Sequence, residues 1–172
     1  MVDNDTEDHL VVFDRQAKGN TPPVWKLHTP HGAFGIAVDE QREELILTIQ
    51  HSNAVVGFPK TARNDDPPSW LLQGDRTQLA DPHGVALDSK TNLLFVSNLG
   101  STATPRTDGE GYIQYNRTKF KPGNKAFWPL DPDQILPGSG RTLPASITVY
   151  DESARGDAAP LRVISGPRTQ LN

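Results

Sequence analysis

The chain has 172 residues, 35% of them hydrophobic and 22% charged, with 14 glycines and 15 prolines, a composition that fits one turn-rich globular domain better than a disordered segment. No stretch approaches the roughly 18 apolar residues of a helical membrane span, and a formal charge of -4 without a Lys/Arg cluster removes the attraction that drives nucleic-acid and anionic-lipid binding. Zero cysteines exclude a disulfide framework, a thiol nucleophile and a Cys-ligated zinc.

Residues 1–9 are acidic and predict a disordered N-terminus. From there the chain is a series of short runs rich in Val, Ile, Leu and Phe, each bounded by Gly, Pro, Asn or Asp, which is the pattern of strands. In order they fall at 10–15 and 24–28; at 34–38, 45–50, 54–58 and 69–73; at 83–87 and 93–98; and, after an insertion over 101–145, at 147–151 and 161–165. No window sustains an apolar stripe at helical spacing, so the class is all-β. Both alternating positions of several runs are apolar, as in Leu45-Ile46-Leu47 and Leu93-Leu94-Phe95-Val96, which is expected when both faces of a sheet pack against neighbouring sheets.

The strands recur. LVVFDRQAKGNTPPVW from Leu10, VVGFPKTARNDDPPSW from Val55 and ITVYDESARGDAAPLR from Ile147 align without gaps at offsets of 45 and 92. An aromatic returns at Phe13, Phe58 and Tyr150, an alanine at Ala17, Ala62 and Ala154, an Asn or Asp at Asn20, Asp65 and Asp157, and a proline at Pro23, Pro68 and Pro160. GDRTQL from Gly74 matches GPRTQL from Gly166, and FGIAVD from Phe34 matches HGVALD from His83, each followed by an apolar run, LILTIQ from Leu45 and LLFVSN from Leu93. Four short strands in a unit of about 45 residues are the mark of a β-propeller blade.

These phrases, with SITVYDESARGDAAPLRVISGPRTQL beside them, resemble the NHL class of propeller repeats, in a bacterial branch without an assigned function. The resemblance implies a partial β-propeller of about two and a half four-stranded antiparallel blades: a half blade over 10–30, a blade over 31–80, and a blade over 81–172 carrying the long loop insertion 101–145. Because a ring takes about four to eight blades, the expectation is a segment of a longer propeller, with an open solenoid-like module or an oligomer as the alternatives. The remaining blades of a parent chain are then partners, and an extracytoplasmic place is weakly favoured.

Antiparallel order brings Asp81, Pro82 and His83, which enter an inner strand, to the same end as the insertion, the channel-mouth face of a propeller. His83 is the candidate metal ligand or base, since it replaces Phe34 of the other inner strand; the alternative is a histidine whose ring nitrogens bond loop backbone. Asn98 ends the next strand on that face, with Gln50 in its place in the preceding unit. Tyr112, Tyr115, Phe120, Phe127 and Trp128 supply the insertion with apolar area that suits either a cap over the mouth or a partner surface. Asp39 and Asp88 recur blade by blade and read as turn-closing carboxylates.

No nucleophile elbow, phosphate loop or His-Glu-x-x-His motif is present. The function expected is therefore a non-catalytic binding scaffold for protein, peptide or glycan, without a cofactor of its own. The alternative is a metal-dependent propeller enzyme of the lactonase or peptidylglycine-lyase type, the latter suggested by the PHGVALD stretch, with a divalent metal in the channel of the complete ring. Catalytic zinc needs about three protein ligands, and this segment offers His83 alone.

Overall fold

A computed structural model of the chain describes residues 2–3, 8–50, 52–102 and 141–171. Among the described residues thirteen strands follow one another: β1 (Val2–Asp3), β2 (His9–Val12), β3 (Trp25–His28), β4 (Ala33–Asp39), β5 (Glu44–Ile49), β6 (Ala54–Pro59), β7 (Trp70–Gln73), β8 (Pro82–Asp88), β9 (Leu93–Asn98), β10 (Ser101–Thr102), β11 (Arg141–Thr142), β12 (Ser146–Asp151) and β13 (Arg162–Ser165). No α-helix occurs among the described residues; two single 3-10 turns, Asp75–Thr77 and Pro167–Thr169, follow β7 and β13. All ten predicted strands are present, nine of them within a residue of their expected limits; the first, expected over 10–15, ends three residues early at Val12.

Among the described residues every pairing of strands within a sheet is antiparallel, and two isolated parallel bridges, Leu27 with Asn64 and Leu72 with Gly156, join one sheet to the next. Sheet I has the order β1-β2-β3, sheet II β4-β5-β6-β7 and sheet III β8-β9-β12-β13, while β10 and β11 form a two-stranded ribbon at the root of the insertion. The stretch 1–9, expected as a disordered tail, contributes a strand: Val2 pairs with Leu10 and Asp3 with His9. Residues 103–140 lie outside the described residues.

The doubly apolar strands are explained by stacking. One apolar layer lies between sheets I and II, where Leu10, Val12, Trp25 and Leu27 meet Leu45, Leu47, Val56 and Phe58. The second lies between sheets II and III, where Ile46, Val55, Trp70 and Leu72 meet Leu94, Val96 and Tyr150. Sheet II is thus covered on both faces, and each such side chain buried from water contributes on the order of 1.5–3 kcal/mol.

The columns that recur in the sequence turn out to be the parts that lock one sheet to the next. In each unit the alanine N–H closes a turn on the carbonyl three residues earlier (Ala17 to Asp14 at 3.0 Å, Ala62 to Pro59 at 2.8 Å, Ala154 to Asp151 at 2.9 Å). Two residues on, Gly19, Asn64 and Gly156 all take left-handed backbone with φ of 61°, 53° and 61°. At the junction of sheets I and II, Asn64 N–H donates to Lys26 O and His28 N–H donates to Asn64 O, both at 2.7 Å. At the junction of sheets II and III, Gly156 N–H donates to Leu71 O at 2.7 Å and Gln73 N–H to Gly156 O at 2.8 Å. The preceding arginine stacks its guanidinium on the outer-strand tryptophan it meets, Arg63 on Trp25 at 4.3 Å and Arg155 on Trp70 at 3.7 Å. The Asp157 carboxylate accepts from Arg76 N–H at 2.8 Å, and Asp65 Oδ1 lies 3.3 Å from His28 Nδ1.

Tyr150 completes the second junction by donating its hydroxyl to Thr77 O at 2.6 Å. Burial pushes its phenol up to about 12, with a Thr148 hydrogen bond pulling the other way. The unfolded phenol ionises near 10, so the neutral folded form contributes its full stability below pH 10 and loses it as pH climbs toward 12, a difference of roughly 2–3 kcal/mol. Urea midpoints of the chain should therefore fall between pH 9 and 11.5 more steeply than those of Tyr150→Phe. Parallel slopes for the two proteins would show that this phenol is not what alkali attacks.

Candidate functional site

The first strands of sheets II and III, β4 and β8, both have an aromatic or imidazole as their second residue followed by glycine, and both carry a register shift there, between Ala33 and Ile36 and between Pro82 and Gly84. The shift turns the glycine N–H off the ladder and onto a side chain: Gly35 N–H donates to Thr48 Oγ1 at 2.8 Å and Gly84 N–H to Ser97 Oγ at 2.9 Å. Thr48 then donates its own hydroxyl to His83 O at 2.8 Å, which ties β8 to the sheet before it. A Cβ at residue 35 would collide with that carbonyl and with the Thr48 hydroxyl, so the approach requires glycine. With the backbones held this close, the Phe34 and His83 rings stack, centroids 4.3 Å apart and planes within 5°.

His83 Nε2 lies 3.3 Å from Asp81 Oδ1, and both atoms are shielded from solvent. The imidazole therefore meets a carboxylate and an aromatic face rather than the loop backbone of the alternative reading. Asp81 is buried and sits at φ 56°. Its N–H donates to Asn53 Oδ1 at 2.7 Å and its carbonyl accepts from Leu99 N–H at 3.1 Å, while Ala80 O accepts from Gly100 N–H at 3.0 Å. The entry to β8 and the root of the insertion are thus joined at one end of sheet III, as antiparallel order requires.

Asn98, expected at the same end, is spent on internal bonds. It is buried, its Oδ1 accepts from Ala80 N–H at 3.0 Å, and its Nδ2 donates to Thr148 Oγ1 at 3.1 Å and Val96 O at 3.3 Å. Its counterpart also changes: Ile49 pairs with Ala54 as Asn98 pairs with Ser146, so Ile49, not Gln50, occupies its place in sheet II. Tyr112, Tyr115 and Trp128, with Phe120 and Phe127, lie outside the described residues. The structure thus brings together Asp81 and His83 of the expected set and adds Phe34, Thr48 and Asn53 to their surroundings. The matching hydroxyls of Thr48 and Ser97 were a usable signal for the bulge, masked by aligning LILTIQ with LLFVSN one residue out of register.

At the opposite end of the sheets, Asp39 Oδ1 accepts from Gln41 N–H at 2.8 Å and Arg42 N–H at 3.0 Å, and Asp88 accepts from Lys90 N–H at 3.1 Å and the Thr91 hydroxyl at 2.6 Å. Both close the turn between the first two strands of their sheet. Burial pushes the Asp39 carboxyl up, but the Arg42 N–H, the Glu152 side chain, the Gln41 N–H and the Arg42 guanidinium together hold it below the ordinary value. The Thr91 hydroxyl and Lys90 N–H lower Asp88 likewise. Arg42 also pairs with the buried Glu152, a bond between sheets II and III that no repeat column announces.

Among the described residues no group of three His, Cys, Asp or Glu side chains is placed to hold a metal ion. Asp81 and His83 supply two donors, one fewer than a catalytic zinc takes from protein, so the described residues do not fit a metal centre. What this end of sheets II and III does present is a stacked aromatic and imidazole with a carboxylate beside the imidazole. Comparison with family models, with curated proteins and with solved structures found no match.

Proposed function

We propose that the chain is a segment of an NHL-like β-propeller that serves as a non-catalytic binding scaffold, its ligand a protein, peptide or glycan received at the mouth formed by Phe34, Asp81, His83 and the insertion 101–145. The observation that carries this reading is the use made of the recurring polar residues. Asp39, Asp88, Asp157 and Thr48 each bond a turn or a neighbouring strand, which builds a rigid support and leaves the non-recurring residues at the mouth to set specificity. Successive sheets that meet through their inner strands, with Gly35 of β4 against β8, support the blade-like arrangement that the repeat period predicts.

The test replaces 101–145 by a short turn of the kind that joins β5 to β6, and screens both proteins on peptide and glycan arrays. The scaffold reading expects specific ligands of the intact chain to be lost, and lost again in His83→Ala with the insertion intact. An array profile unchanged by both alterations places binding elsewhere and ends the proposal.

A further inference from the structure

The turn that forms the clasp between sheets I and II and between II and III exists a third time, in sheet I, with no described strand in its grip and with the carbonyl of its left-handed residue, Gly19, accepting from Thr21 N–H at 3.0 Å in place of a strand N–H. Ala17 N–H closes the same turn on Asp14 O and Gly19 holds the same left-handed φ of 61°. Lys18 stands where Arg63 and Arg155 stack on tryptophan, and Asn20 where Asp65 meets His28 at the end of β3 and Asp157 meets Arg76 N–H in the turn after β7. Phe13 is 43% exposed, whereas its counterparts Phe58 and Tyr150 are both at 0% beneath a neighbouring sheet.

We propose that Phe13 and Lys18–Asn20 form a docking site for the outer edge strand of a further repeat sheet, one that carries an aromatic residue under Lys18 and an apolar residue two positions on. The occupant's chemistry is read from the two clasps that are filled. Both hold a strand of the form Trp-x-Leu, Trp25-Lys26-Leu27 in one and Trp70-Leu71-Leu72 in the other, through one parallel backbone bridge at the leucine and a cation over the tryptophan ring.

A second copy of this chain is not that occupant. Its free edge strand is β13, whose Ile164 is 46% exposed where Leu72 is at 0%, so an apolar edge is on offer. At the tryptophan position, however, β13 has Arg162, and a head-to-tail contact sets Lys18 against a like charge. That mismatch blocks open-ended chains of identical copies, the hazard of any head-to-tail interface. The inference rests only on the two filled clasps and stands whether or not the mouth binds a ligand.

Sedimentation equilibrium of the full chain and of Arg162→Trp tests it, because the substitution converts β13 into the strand the site is built for. Arg162→Trp should self-associate about tenfold or more tightly than the parent. Adding Gly19→Pro, which removes the N–H that the bridge uses, should return it to the parent's behaviour. Non-specific association through the exposed sheet faces is common to all three proteins and cancels in the comparison. An Arg162→Trp protein that associates no more tightly than the parent, association that survives Gly19→Pro, or a parent whose own association is abolished by Gly19→Pro would each overturn the proposal.

Discussion

Thr48→Val should cost about 2–5 kcal/mol, whereas Thr48→Ser should cost no more than about 1 kcal/mol. The Thr48 side chain is fully buried between sheets II and III, and its hydroxyl both accepts from Gly35 N–H and donates to His83 O. Valine has the same shape and neither capacity. Two half-buried backbone groups are then left facing an apolar side chain, each at about 1–3 kcal/mol, in a fold whose total stability is of the order of 5–15 kcal/mol. Ser97, the counterpart in sheet III, accepts from Gly84 N–H but is exposed, so water replaces what Ser97→Val removes and the loss there should be under about 1 kcal/mol. Urea midpoints of the three variants, with amide exchange at Gly35, read the effect directly. Equal midpoints for Thr48→Val and Thr48→Ser would mean that this hydroxyl does not link the sheets. The same substitution releases the carbonyl that fixes β8, so it should also loosen the Phe34–His83 stack and weaken any ligand taken at the mouth.

That bond illustrates what the sequence could and could not convey. The strands were legible because burial on both faces writes itself as unbroken apolar runs between turn residues; Leu45–Leu47 and Leu93–Val96 could hardly be anything else. The turn role of Asp39 and Asp88 was legible because each repeats in its own unit at a fixed distance from its N–H donors. The clasp was visible only as a set of recurring letters. Ala62, Arg63, Asn64 and Asp65 advertise that something is repeated, but the strand they hold belongs to the preceding unit, and no local pattern points to it. Contacts that occur once were not legible at all: Arg42 with Glu152 and His83 with Asp81 join residues whose counterparts, Thr91, Lys60 and Phe34, have different chemistry. The strand at Val2–Asp3 was missed for a further reason, since two residues are too short to show an alternation.

The second large effect is expected at residue 57, where sheet II departs from its neighbours. Gly57 faces Trp70 directly across β6 and β7, while the same cross-strand place holds Val12 opposite Trp25 in sheet I and Val149 opposite Arg162 in sheet III. A Cβ at residue 57 would overlap the indole itself. The indole lies against the glycine, its Nε1–H donates to Glu44 Oε2 at 3.0 Å, and Arg155 stacks on the ring with its guanidinium 3.7 Å from the ring centroid and 3.7 Å from the same carboxylate. Gly57→Val therefore displaces the ring, the hydrogen bond and the cation at one stroke, and should destabilise by about 3–5 kcal/mol, the range seen when a large aromatic is removed from a core. The loss is specific to the ring, so Gly57→Val with Trp70→Leu should recover part of it. Trp70→Leu alone should cost about 2–4 kcal/mol, and the double variant should be no worse than that single one, a coupling of about 2 kcal/mol or more between two residues in contact. Full additivity of the two losses in denaturant midpoints would show that valine clashes with something other than the indole. The cycle also tests the clasp, because Arg155 reaches Glu44 and Trp70 from the adjoining sheet. If the ring orders that arginine, Trp70→Leu should speed amide exchange at Gly156 and Gln73, whose bonds span the junction, more than at Val55 or Val56 within sheet II.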